Sequence, residues 1–297
     1  MSEGDNIEFS IIIPTYNRAH RVKNTILSAL NQEFGSYEVI VIDDSSTDNT
    51  EELIKGIQNG KLKYYKQGNK ERGAARNNGT QVAKGKYVNF VDSDDLLYPH
   101  HLSTAFKSVK ALNEPEIFYQ RFDIKNSAGK VLKRQGKISG EVGRKLIYGN
   151  MFSCDGIFIR KDIALRFAFR EDRGLSGSED WELWLRLGSR FTIHCNNEIT
   201  SSIISHEERS VLNANEGSLV MRKILALKYA FEDEEMKKKY FRFYPKMESY
   251  LDLYVSLHLL LSGNKKRALY YLKHAFSLNP MVFFSRRFYA ILKHFVF

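Results

Sequence analysis

YEVIVIDDSSTDNT, residues 37–50, is the stretch that decides the fold. Tyr37–Ile42 is a short β-branched run, the composition of a buried strand. It stops at two carboxylates followed by Ser, Thr and Asn, which are turn-forming residues. Asp48 stands three residues before Glu51, a capping-box-like spacing that starts a helix near Asp48. Working outward, the same unit recurs. Phe9–Ile13 (FSIII) precedes it, and Leu62–Tyr65 and Tyr87–Val91 follow as further strand-like runs. Val22, Ile26, Ala29 and Leu30 recur at helical offsets between the first two runs. A third helix is expected over Ala74–Ala83 and a fourth after Pro99, a good first-turn residue. Alternating strands and helices, with the strands buried, predict an α/β fold: a Rossmann-like, mostly parallel sheet flanked by helices. Ligands of such sheets gather beyond the carboxyl ends of the strands.

The 297 residues are 43% hydrophobic and 27% charged, which excludes a disordered or fibrous chain. The net charge is +10, a balance that suits nucleic acid, anionic membrane or phosphorylated ligands. Its location narrows the choice. From Lys237 onward twelve basic residues face only Glu248 and Asp252, so the tail carries the whole excess and residues 1–236 are neutral. Cys154 and Cys195 are the only cysteines, giving neither a disulfide framework nor a set of metal thiolates. The opening MSEGDNIEFS has no apolar core, and no run reaches the roughly 18 apolar residues of a membrane span. The expected location is the cytoplasm.

Three strand ends carry polar clusters: Pro14–Arg18 (PTYNR), Asp43–Asp48 (DDSSTD) and Asp92–Asp95 (DSDD). Each alone suits turns and helix caps, and Asp48 is read that way. Together they bring carboxylates to one sheet edge, where a cation or hydrogen-bonding ligand must separate them. Asp92 and Asp94, spaced i and i+2, point the same way and present hard oxygen donors suited to Mg²⁺ or Mn²⁺.

FSIIIPTYNR, YEVIVIDDSSTDNT, GAARNNG and GKYVNFVDSDDLLYP occur in that order. Together they resemble the nucleotide-binding half of the family 2 glycosyltransferases, which have the GT-A fold. The resemblance is close over residues 8–112. It implies a GT-A domain over 1–216, with 8–112 as the nucleotide-sugar half and 113–216 as the acceptor half, and a basic helical region over 217–297. It also implies roles for individual residues. Pro14 and Tyr16 would flank the base, and Asp44 would accept from uracil N3–H while Asp43 orients the loop. Arg72 would approach the nucleotide, with Lys70 and Arg76 as competitors. Asp92 would lie near the ribose and diphosphate, and Asp94 would ligate Mn²⁺ or Mg²⁺. Asp95 would cap a helix or anchor the loop. The donor implied is a UDP-sugar.

Residues 177–187 read GSEDWELWLRL. Leu183, Trp184 and Leu187 follow Asp180 by three, four and seven residues, which puts Asp180 in the first turn of a helix, on its apolar side. First-turn acids interact well with the helix dipole, and Ser178 can cap it. The segment also resembles the family's Glu-Asp stretch, which makes Asp180 the general base of an inverting displacement and Glu179 the runner-up or a substrate contact. His206, in IISHEERSVL beside Arg209 and Ser210, is either a solvated loop residue or a contact to the metal or diphosphate. Asp155, in MFSCD, is a candidate acceptor-side contact. Trp181 and Trp184 can stack on sugar, although helical spacing favours core packing for Trp184. His100 and His101 read as surface or helix-start residues.

Beyond Glu216 the pattern turns helical, with Leu219–Phe231 and Tyr250–Leu261 amphipathic or nearly apolar. GNKKRALYYLKHAFSLNP resembles one helical unit of a tetratricopeptide repeat, and a single copy suits a helical hairpin better than an array. In the last helix Arg286, Arg287, Lys293 and His294 share one face, with Phe284, Phe288, Ile291, Leu292 and Phe295 on the other. That pattern fits either contact with an anionic membrane or docking into the protein's own core. The expectation is an inverting, metal-dependent hexosyltransferase of surface polysaccharide assembly, acting on a glycan or lipid-linked glycan. It would be cytoplasmic or peripheral on the inner face of the cell membrane, without nucleic acid as a partner. A nucleotidyltransferase of sugar phosphates would want a Gly/Arg/Lys-rich phosphate loop after the first strand, which PTYNRAH is not. A non-catalytic nucleotide-sugar-binding scaffold predicts no turnover.

Overall fold

A computed structural model describes residues 7–206 and 216–296; Arg209 and Ser210 lie outside them. In chain order the elements begin β1 (Phe9–Thr15), α1 (Ala19–Leu30), β2 (Tyr37–Asp43), α2 (Thr50–Lys55), β3 (Leu62–Lys66), α3 (Glu71–Val82), β4 (Tyr87–Phe90) and β5 (Leu96–Leu97). Next come α4 (His101–Ala111), β6 (Ile117–Asn126), β7 (Val131–Arg134), α5 (Val142–Lys145), β8 (Ile157–Arg160), α6 (Lys161–Arg166), α7 (Glu179–Arg190) and β9 (His194–Ser205). The chain closes with α8 (Glu216–Ala230), α9 (Glu234–Tyr240), α10 (Tyr244–Leu261), α11 (Lys265–Leu278) and α12 (Arg286–Val296).

The chain divides into two compact units interleaved in sequence. The first comprises 1–142, 152–176 and 191–206; the second comprises 143–151, 177–190 and 207–297. The helix carrying Asp180 therefore belongs with the C-terminal helices instead of ending a contiguous domain at residue 216. Its sequence shows why. Nearly every residue of α7 is buried, charged ones included, so it needs partners on all sides.

In the first unit the strands run β3-β2-β1-β4-β8-β6-β9-β5, with β7 paired to β6. The pairs β3–β2, β2–β1, β1–β4 and β6–β9 are parallel, whereas β8 runs antiparallel to both β4 and β6. This is the α/β GT-A-like architecture, mixed instead of purely parallel. Alternation along β1 assigns its two faces. Phe9, Ile11 and Ile13 join Val22, Ile26, Ile54, Leu102 and Val109 from α1, α2 and α4 in one core. Ile12 faces α3, which approaches so closely that a Cβ on Gly79 would lie 2.3 Å from Ile12 Cγ2. Register then sets the site. Thr15 pairs with Asp43, so the loops leaving β1 and β2 start level, and Val91 N–H donates to Ile12 O beside them (2.9 Å).

In the second unit α10 and α11 form a helical hairpin, turned at Gly263 (φ +84°), and the Asn264 side chain accepts from Arg267 N–H to cap α11. α12 packs on this hairpin and buries Phe288 and Ile291 with Leu253, Leu259 and Leu272. The expected interfacial helix thus spends much of its apolar face on the protein's own core. Phe284 and Tyr289 remain exposed. No helix among the described residues is long and apolar enough to cross a membrane.

Candidate functional site

The loops after β1 and β2 are tied to each other. Asn17 N–H donates to Ser46 Oγ (2.9 Å), and Asn17 Oδ1 accepts from Thr47 N–H (2.8 Å). Asp48 starts two helices at once: its carboxylate accepts from Thr50 N–H (3.1 Å) at the head of α2 and from Ala19 N–H (3.2 Å) at the head of α1. Asp43 accepts from Ser46 N–H (2.8 Å) and the Tyr64 hydroxyl (2.7 Å). Asp44 is buried and also holds a loop. It accepts from Gln67 Nε2 and Lys70 N–H on Oδ1 (both 2.7 Å), and from Glu71 N–H on Oδ2 (2.8 Å). Pro14 is buried between strands, whereas Tyr16 is 46% exposed at the mouth of this edge. Asn17, Ser45 and Glu71 all take positive φ (49°, 72° and 73°). Left-handed backbone at non-glycine residues costs energy, which the hydrogen bonds of these loops offset.

At the end of β4 the acids separate into roles. Asp92 Oδ1 receives Arg76 Nη2 (2.7 Å), and Asp92 N–H donates to Asp155 Oδ1 (3.3 Å). Arg76 is thus paired with an acid of the edge; Arg72, one turn earlier on α3, is half-buried. Asp155 is enclosed beneath Asp92, so it acts on the edge through Asp92's backbone. Asp95 accepts from Ile204 N–H (2.9 Å), anchoring the loop to β9. That anchor helps bring His206, just past β9, to Asp94: Nε2 lies 2.9 Å from Asp94 Oδ2.

The contact is a hydrogen bond between imidazole and carboxylate, and both groups are common ligand types for divalent ions. The imidazole is buried, and its Nδ1 has no hydrogen-bond partner among the described residues. No group of three or more His, Cys, Asp or Glu residues forms a metal cluster among them. Such ions commonly complete their shell with water and phosphate oxygens.

His101 departs from the surface reading. It starts α4 but is fully buried, between Thr200 Oγ1 (2.9 Å) and Asn89 Oδ1 (3.2 Å), and burial pushes its pKa down to about 3. His100 beside it is exposed.

In the second unit the first turn of α7 is occupied by its own acids. Glu179 accepts from Gly177 N–H (2.6 Å) and Ser178 N–H (3.0 Å). Asp180 Oδ1 accepts from Trp181 N–H (2.7 Å), and Oδ2 from Asn150 Nδ2 (2.6 Å). Trp181 and Trp184 are both fully buried; the Trp181 indole donates to Leu146 O (3.1 Å) and its ring faces Lys223. Trp181 therefore shares the core role expected of Trp184. Sequence reading did not find Asn150 or the buried pair Arg222 and Lys223. The available signal was two cations inside the apolar run of α8.

The first unit pins its loops at the carboxyl edge of its strands, with an acid–imidazole pair beside them, on a GT-A-like sheet. Residues 10–166 match the Glycosyl transferase family 2 description, and the chain belongs to that family. An uncharacterized glycosyltransferase of Rickettsia bellii is 32% identical over 215 residues, 70% of this chain; the match spans only 30% of that relative's length. The UDP-Glc:alpha-D-GlcNAc-diphosphoundecaprenol beta-1,3-glucosyltransferase WfgD of Escherichia coli is 28% identical over 187 residues, 62% of this chain and 70% of that one. The structure of S. aureus TarS 1–349 in complex with UDP-GlcNAc has a TM-score of 0.64 at 18% identity, covering 93% of this chain and 92% of that one. At that identity it shows a shared fold.

Proposed function

We propose that the protein is an inverting, metal-dependent hexosyltransferase that moves a sugar from a UDP-sugar to a hydroxyl of a glycan or lipid-linked glycan. The observation that carries this reading is the Asp94–His206 pair, 2.9 Å apart, on the same sheet edge as Asp44 and Asp92. Asp44 is the uracil acceptor; its Oδ2 takes one described hydrogen bond and a carboxylate oxygen can accept another. Pro14 and Tyr16 flank the base, Arg72 approaches the nucleotide, and Asp92, held by Arg76 and Asp155, lies by the ribose and diphosphate. Asp94 and His206 are the residues that would hold Mn²⁺ or Mg²⁺. Such an ion, when bound, stabilises negative charge on the leaving diphosphate.

Asp180 is the base. Its carboxylate, oriented by Asn150, takes the acceptor hydroxyl's proton as that oxygen attacks the anomeric carbon opposite the leaving group. Glu179, with two backbone N–H donors on one oxygen, suits a supporting role. The acceptor class is supported by the diphosphoundecaprenol glucosyltransferase among the relatives. Surface polysaccharide assembly at the inner face of the membrane follows from that class. Exposed Lys265, Lys266 and Lys273, with exposed Tyr270 and Phe276 on α11, offer an anionic bilayer both charge and apolar contact. The reading is tested by the anomeric configuration of the transferred sugar, read by NMR. An α-linked donor should give a β-linked product, and retention would refute Asp180 as the base of a single displacement.

A further inference from the structure

The second unit holds a buried cluster of cations. In α8 the usual polarity is reversed: Arg222 and Lys223 are only 5% and 7% exposed, while their neighbours Met221 and Ile224 are each 54% exposed. Lys and Arg are almost never buried to this degree unless paired. Nε and Nη2 of Arg222 nevertheless have no hydrogen-bond partner among the described residues. The Lys223 ammonium sits over the rings of Tyr254 (4.6 Å) and Trp181 (5.4 Å). Arg287, from α12, lies 5.8 Å from the centre of the Tyr254 ring and donates to Tyr250 O (3.1 Å). Two glycines with positive φ lie against the guanidiniums. A Cβ on Gly177 would meet Arg222 Nη1 at 2.8 Å, and one on Gly149 would lie 3.7 Å from Arg287.

Two acids, Glu179 and Asp180, lie near this group and offset part of its charge. Glu179 is engaged with backbone N–H donors, and Asp180 with Asn150 and Trp181 N–H. Their charge favours the ammonium of Lys223, yet burial, with Arg222 and Arg287, still pulls its pKa down. Like charges gathered around one aromatic ring in a dry setting repel, and a counter-anion relieves the repulsion. Arginine forks match the tetrahedral oxygens of phosphate, and lysine adds a point charge.

We infer that Arg222, Lys223 and Arg287 form a receptor for a phosphate oxyanion carried by the acceptor, beside Asp180. The link to the acceptor rests on the reading of Asp180 as base; anion binding itself does not. The oxyanion belongs either to a diphosphate linking glycan to lipid or to a phosphodiester of a polymer.

The test uses the full chain, metal-free and saturated with UDP, so that the nucleotide edge is occupied. Inorganic pyrophosphate and, separately, dimethyl phosphate are titrated while tryptophan emission is followed. Both tryptophans of the chain lie on α7, so the signal is local. Saturable quenching is expected in the wild type and in Asp180→Asn, at least tenfold weaker in Arg222→Gln and Arg287→Gln. Lys223→Met is the second variant should either fail to fold, and circular dichroism reports the fold. Tighter pyrophosphate assigns a diphosphate-linked acceptor; tighter dimethyl phosphate assigns a phosphodiester polymer. Absence of binding to the wild type, or equal binding by folded cluster variants, overturns the receptor. Full sugar transfer by Asp180→Asn with anion binding intact would instead remove the base assignment and leave the receptor standing.

Discussion

Lys223→Met should stabilise the protein at neutral pH. In the folded chain Lys223 is pushed down to about 8 from the ordinary lysine value of 10.5, chiefly by burial and further by Arg222 and Arg287, against the pull of Asp180 and Glu179. A shift of that size corresponds to roughly 3 kcal/mol against the charged form. Removing the ammonium also removes its contacts with Tyr254 and Trp181, worth about 0.5–2 kcal/mol. Methionine fills a similar volume without charge, so a net gain of about 1–3 kcal/mol is expected. The pH dependence carries the sharper signature. Below pH 8 folded and unfolded chains both hold the proton, and the penalty is constant. Between 8 and 10.5 the folded chain has released the proton while the unfolded chain keeps it, so wild-type stability rises with pH. The groups facing Lys223 are Glu179 and Asp180 from α7, Arg222 from α8, Tyr254 and His258 from α10, and Arg287 from α12. Urea unfolding of both proteins at pH 7 and pH 9.5 makes the comparison, with the variant's advantage shrinking at the higher pH. A variant less stable than the wild type at pH 7, or an advantage that does not change with pH, would refute the reasoning.

Asp44→Asn puts an amide N–H against the Lys70 or Glu71 N–H donor and loosens the 67–71 loop. Charge-assisted bonds contribute about 1.5–3 kcal/mol each, so titration calorimetry should show UDP binding weakened by about tenfold or more, and unchanged affinity would contradict the assignment. His206→Ala should raise the Mn²⁺ concentration needed for half-maximal donor turnover by about 10–100-fold. An unchanged metal requirement would put His206 back among structural residues. Gly85→Ala drives a Cβ to 2.5 Å from Ser10 N and 2.6 Å from Phe9 C, backbone atoms of a central strand that cannot step aside. The cost should be at least about 1–3 kcal/mol, and a melting temperature equal to wild type would contradict that packing.

Much of the first unit was legible in the sequence because its information is local. The β-branched runs, the capping spacing at Asp48 and the order of four segments place β1 to β4 and their polar ends. The sequence does not reveal which acid serves which neighbour. Asp43 and Asp44 are adjacent, yet one holds its own turn and Tyr64 while the other holds a loop more than twenty residues away. Arg76 reaches Asp92, and His206 reaches Asp94, only after the sheet is assembled. His101 follows a proline and another histidine like a surface residue, but its site lies under β4 and β9. The second unit was least legible. Its core gathers α7 with helices that follow β9, and the periodicity of α8 conceals that Arg222 and Lys223 point inward.

The most direct test of the glycosyltransferase reading is hydrolysis of a panel of nucleotide-sugars by the purified protein, with and without Mn²⁺, alongside Asp94→Ala and Asp180→Asn. The account predicts metal-dependent release of UDP from at least one UDP-sugar, lowered at least a hundredfold in each variant, with UDP still bound by Asp180→Asn. Turnover that persists undiminished in both variants would contradict it.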